Sequence, residues 1–141
     1  MKNLIVGDGE FTRDARVRME NVQAAKLVDM AVVTQRCGGD EKFAAAVARR
    51  FCTQSGRELE TIRNALVARD APVAKRAAHS LKSMAAYMGA EAASKLAQQI
   101  EALADAGRLE EILGVLDQLS DQIRRALAYL ADIGLNQTQA A

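Results

Sequence analysis

The chain has 141 residues, 50% of them hydrophobic and 26% charged, with 19 Lys and Arg against 18 Asp and Glu for a formal net charge of +1. That is the profile of one ordinary globular domain, neither disordered nor fibrous, and large enough to bury a core without staples. Dispersed charge near neutrality leaves no basic face for general nucleic-acid binding, and no apolar run is long enough to span a membrane.

The aromatic share is 4%, with no Trp and a single Pro, so Ala, Leu, Val, Ile and Met supply the apolar content. This balance favours helices over a β-sandwich or barrel. Residues 1–21 show no clean periodicity and read as an extension of uncertain structure. Its apolar run, Leu4, Ile5 and Val6, is too short for a signal peptide. A reducing, cytoplasmic setting is therefore expected, with Cys37 and Cys52 as unpaired fillers that match no metal-ligand spacing.

A first helix is predicted from about Val22, through Leu27, Met30 and Val33, to the stop at Cys37-Gly38-Gly39. Asp40 then caps a long second helix whose face carries Phe43, Val47, Phe51, Ser55, Leu59, Ile62 and Leu66 at steps of three and four. Gly56 marks a candidate bend. The end falls near Arg69, because Asp70 suits an N-cap and Pro72 suits the first turn of a new helix. The third helix spans Ala71 to Tyr87, with Val73, Ala77, Leu81, Met84 and Met88 as its apolar stripe, and stops at Gly89. A fourth runs from about Ala90 to Asp105 with Leu96, Ile100 and Leu103 inward, closed by Gly107. The fifth carries two interlocked heptad series: Leu109, Leu116, Ile123 and Leu130, then Ile112, Leu119, Ala126 and Ile133. Short links force the last four helices to alternate in direction. The expected fold is all-α: an antiparallel up-and-down four-helix bundle with an additional N-terminal helix, over residues 22–133, followed by a frayed tail at 134–141.

Enzyme motifs are scarce. His79 is the one histidine, and no Cys-x-x-Cys, phosphate loop or Gly-x-Gly-x-x-Gly occurs. A two-histidine metal site is excluded, and phosphoryl chemistry would need its phosphate from another protein. His79 points roughly 160° away from the line of Ala77 and Leu81, toward solvent or an edge. Lys75 and Arg76 lie one turn before it, Lys82 and Ser83 one turn after. Such cations disfavour a protonated imidazole, keep the ring nucleophilic near neutral pH, and would stabilise a phosphoryl group attached to it. Small side chains at Ser83 and Ala86 leave room for a partner's active site, and Tyr87, about 80° round the helix, is a candidate contact whose competing reading is half-buried packing.

The string Ala77-Ala78-His79-Ser80-Leu81-Lys82-Ser83-Met84, continued by Gly89-Ala90 and then Leu96 and Ile100-Glu101, resembles the signature of histidine-containing phosphotransfer (HPt) domains. Gly39-Asp40-Glu41 with Phe43, and Asp70 before the histidine helix, extend the resemblance over roughly residues 27–133. It implies a phosphocarrier rather than an autonomous enzyme, taking a phosphoryl group from a receiver domain's phospho-aspartate and passing it to another receiver aspartate. By position, His79 is the phosphoacceptor, Lys82 the neighbouring cation, and Glu101 the acceptor that orients the imidazole. Lys75, Arg76, Ser83, Ala86 and Tyr87 would line the receiver-docking surface, and Gly89 is the turn glycine. The implied partners are response-regulator receiver domains and a hybrid sensor histidine kinase. The chain is expected to be a monomer with no cofactor or metal of its own, Mg²⁺ coming with the receiver. Ser83 and Met84 depart from the family's usual Gly and Ser or Ala. Met84 reads more simply as core filler. The competing reading is a helical adaptor or degenerate HPt domain that binds a receiver or kinase without being phosphorylated.

Overall fold

The computed structural model describes residues 27–136. In them the chain forms five α-helices: α1 Met30–Arg36, α2 Glu41–Ala68, α3 Ala71–Tyr87, α4 Glu91–Asp105 and α5 Ile112–Asp132, with a single 3-10 turn at Leu109–Glu111 before α5. No strand occurs among the described residues. None of their helices is long and apolar enough to cross a membrane. Residues 1–26, which hold the predicted extension and the start of the first predicted helix, lie outside the described residues, as do residues 137–141.

Three helix starts follow the same chemistry. Asp29, Asp40 and Asp70 each accept a hydrogen bond from a backbone N–H three residues on, at 3.2, 3.0 and 3.2 Å. Each satisfies one of the orphan donors of a first turn. The predicted bounds of α3 are met at both ends, since Asp70 caps it and Pro72 occupies a first-turn position where no donor is needed. The first predicted helix differs: Val28 and Asp29 interrupt it, and Asp29 starts α1 afresh.

Packing favours small residues more than the sequence pattern suggests. On α2 the buried face is Ala44, Ala48, Phe51, Cys52, Ser55, Leu59, Ile62 and Ala65, while the predicted Phe43 is 55% exposed. On α3 it is Ala74, Ala77, Ala78, Leu81 and Ala85, with Val73 and Met84 half-buried at the flanks. On α4 it is Ala93, Ala97, Ile100 and Ala104, with Leu96 and Leu103 at the flanks. Alanine lets helix backbones approach closely, so the large side chains are displaced to the edges of each interface. The heptad positions predicted for the fifth helix are buried from Leu109, which lies in the 3-10 turn rather than in α5, to Leu130, and Ile133 is exposed because the helix ends at Asp132.

The core has two lobes. One joins the second half of α2 to α3, α4 and the first half of α5 around Ile62, Leu81, Ile100, Ile112, Leu116 and Leu119. The other gathers α1, the first half of α2 and the end of α5 around Val33, Phe51, Met88 and Leu130. Residues 134–136 are tied to the second lobe rather than frayed. The Leu135 amide donates to the Leu130 carbonyl at 2.7 Å, and Asn136 Nδ2 to that of Leu127 at 3.2 Å. At Gly56 the helical hydrogen-bonded backbone is not broken, and α2 continues through it to Ala68.

Gly89 has two tasks. Its φ of +71° belongs to the left-handed region, which closes α3 and opens the turn to α4. A Cβ there would also lie 2.7 Å from the Cβ of Asp29, whose amide donates to the Met88 carbonyl at 2.8 Å. The start of α1 is thereby seated directly on the end of the histidine helix.

Candidate functional site

Between α3 and α4 the antiparallel register pairs side chains at equal steps in opposite directions. Lys75 and His79 are one turn apart on α3, and Asp105 and Glu101 are one turn apart on α4. His79 Nδ1 lies 2.9 Å from Glu101 Oε2, and Lys75 Nζ lies 2.8 Å from Asp105 Oδ1. Lys82 Nζ reaches the other oxygen of the same carboxylate, Glu101 Oε1, at 2.9 Å. One turn further along, Ser94 Oγ donates to the Lys82 carbonyl at 3.2 Å, fastening the backbone of α3 to α4 beside the site.

The exposures are graded from ring to support. The His79 side chain is 58% exposed, Lys82 29% and Glu101 19%. Buried Ala77, Ala78 and Leu81 anchor the helix directly beneath the ring. The Lys82 hydrogen bond, helped by that of His79 and opposed by partial burial, holds the Glu101 carboxyl below its ordinary range. At neutral pH it is therefore an ionised acceptor with no proton to give. The hydrogen on the Glu101–His79 bond must come from Nδ1, leaving Nε2 of a neutral ring with its lone pair outward.

The expected ring of cations is changed by α4. Lys82 and Lys75 are each paired with a carboxylate of that helix, and the Asp105 partner raises the Lys75 ammonium above its usual range. Arg76 is exposed and has no carboxylate partner among the described residues. A shallow groove of about 640 Å³ runs along this side of the ring, lined by Pro72, Lys75, Arg76, His79, Ser80 and Glu101.

The remaining predicted contacts divide. Ser83 and Ala86 are exposed, four and seven residues beyond His79 and so on its face of α3. Tyr87 is about 12 Å further along the helix and belongs to a different neighbourhood. Its ring lies under the Arg36 guanidinium, 5.6 Å from the centroid, and its hydroxyl is 3.7 Å from Cys37 Sγ. That thiol contact, with partial desolvation, raises the phenol above its usual range. Arg36 Nη1 also donates to the carbonyls of Ala86 and Tyr87, at 2.7 and 2.9 Å. Tyr87 thus packs against the end of α1 and keeps 37% of its surface open. Cys37 and Cys52 are unbridged, the first half-buried, the second buried with its thiol pushed up by desolvation. Among the described residues no group of three or more His, Cys, Asp or Glu is placed to hold a metal ion.

Asp105, Ser94 and Arg36 are absent from the sequence reading of the site. Asp105 had a usable signal, being four residues from Glu101 as Lys75 is four from His79. Ser94 and Arg36 act through backbone carbonyls and leave no such pattern.

The family model described as Hpt domain matches residues 46–131, which include α3, α4 and all three members of the Lys82–Glu101–His79 group. No curated protein and no solved structure matches the chain.

Proposed function

Since the chain belongs to the Hpt domain family, whose role is phosphotransfer in phosphorelays, we propose that His79 accepts a phosphoryl group from a receiver domain's phospho-aspartate and returns it to an aspartate of another receiver. The observation that carries this reading is the 2.9 Å bond from His79 Nδ1 to an ionised Glu101, on a ring otherwise open to solvent. Nε2 attacks phosphorus, the P–N bond forms as the acyl-phosphate P–O bond breaks, and the carboxylate leaves on the partner. The Nδ1 proton stays between ring and carboxylate, where Glu101 offsets the positive charge that develops on the phosphorylated imidazole.

Phosphoryl transfer has a loose transition state, so in-line positioning and charge stabilisation supply most of the catalysis. This chain would contribute the nucleophile, its orientation and some positive charge, while Mg²⁺ arrives with the receiver. Lys82 acts here chiefly by holding Glu101 in place. Receiver domains, and the kinase that charges them, would approach over the exposed face of His79, Ser83 and Ala86. Tyr87 enters this surface only at its far edge. The test is transfer of label from a phosphorylated receiver with Mg²⁺. Wild type should acquire acid-labile, base-stable label, and His79→Gln none. Binding of the receiver without label would instead favour an adaptor.

A further inference from the structure

Three cations stand within a turn of His79, and the ion pairs separate their roles. Lys82 is occupied by Glu101 at 2.9 Å and Lys75 by Asp105 at 2.8 Å. Arg76 has no such partner among the described residues, yet borders the groove beside the ring. A helical side chain leans over the turn N-terminal to its own Cα, so the imidazole overhangs Lys75 and Arg76. With Nδ1 committed to Glu101, a phosphoryl group on Nε2 meets this side of the helix. A guanidinium suits it, because its planar fork matches phosphate oxygens and sheds water more readily than an ammonium.

Resting on the phosphocarrier reading, we propose that Arg76 contacts the phosphoryl group carried by His79, and that Asp105 holds Lys75 in reserve outside that contact. As the donor's bond to phosphorus breaks and the P–N bond forms, negative charge remains on three phosphoryl oxygens. Arg76 donates hydrogen bonds to two of them, and no proton moves on this chain. Arg76 is then a catalytic residue, whereas Lys82 and Asp105 are positioning residues acting through Glu101 and Lys75. The Lys75–Asp105 pair is exposed and contributes little to folding, so removing its carboxylate frees the ammonium without unfolding the helix.

The experiment uses the full chain and two donors, phosphoramidate and a receiver domain charged with phosphate, with phosphohistidine followed by ³¹P NMR or label. Arg76→Gln should slow uptake from phosphoramidate about tenfold, and Arg76→Lys should recover only part of it, because an ammonium supplies the charge without the fork. Adding Asp105→Asn to Arg76→Gln should restore about threefold by releasing Lys75, and adding Lys75→Gln should remove that gain. Normal uptake by Arg76→Gln beside a labelled wild type would overturn the inference alone. So would a rescue by Asp105→Asn that survives loss of Lys75. Absence of label on wild type from either donor would overturn the phosphocarrier reading, and this inference with it.

Discussion

Replacing Glu101 with Ala should change which ring nitrogen of His79 carries the proton. In the folded chain the carboxylate is ionised and lies 2.9 Å from Nδ1, so the neutral ring is held with its hydrogen there. A hydrogen bond to a charged group contributes about 1.5–3 kcal/mol. With the His79 side chain 58% exposed, the lower end applies, and about 1.5 kcal/mol corresponds to roughly a tenfold bias between tautomers. Without that acceptor, neutral imidazole in water prefers the hydrogen on Nε2, the atom required for attack. Long-range ¹H–¹⁵N spectra of the single histidine above pH 8 would show an Nδ1–H ring in wild type and an Nε2–H-rich mixture in Glu101→Ala. The rate of phosphorylation should fall in parallel. An Nε2–H ring in wild type, or one unaffected by the substitution, would refute the orientation argument.

Other consequences concern stability. Ser55 is fully buried and its Oγ has no hydrogen-bond partner among the described residues, so Ser55→Ala should stabilise the fold by about 1 kcal/mol in urea titration; a loss of stability would show that the hydroxyl has a partner. Gly89→Ala should cost about 2 kcal/mol or more, combining a left-handed φ with a Cβ that meets Asp29, and hydrogen exchange should report loosening of α1 first. Glu101 has a folded-state value lowered from 4.5. Its contribution is therefore complete above that pH and lost as pH falls through the folded value. Thermal melts between about pH 5 and 3 should fall more steeply for wild type than for Glu101→Gln, and parallel curves would contradict the assignment.

What the sequence discloses depends on the kind of signal. The bounds of α3 are legible because Asp70 and Pro72 start a helix by local chemistry alone and Gly89 ends it. The inward face of α2 is misread at Phe43 because a hydrophobic pattern gives weight to large side chains, while close helix contacts are made by Ala44 and Ala48. The break at Val28 and Asp29 is hidden, since the cap is also seated by a tertiary contact with Met88 and Gly89. At the site, His79 is legible as the one histidine, set on the solvent side of its helix among cations, while Glu101 comes from a resemblance whose spacing spans two helices. The charge around the ring is not legible for a related reason: the α3 sequence shows only its own cations, and the carboxylates that neutralise two of them stand on α4.

The most direct test of the phosphocarrier account remains phosphoryl transfer to His79. Incubated with a phosphorylated receiver domain and Mg²⁺, wild type should take up acid-labile, base-stable label and His79→Gln should take up none. Label that persists in His79→Gln, or a wild-type chain that binds the receiver and stays unlabelled, would contradict it.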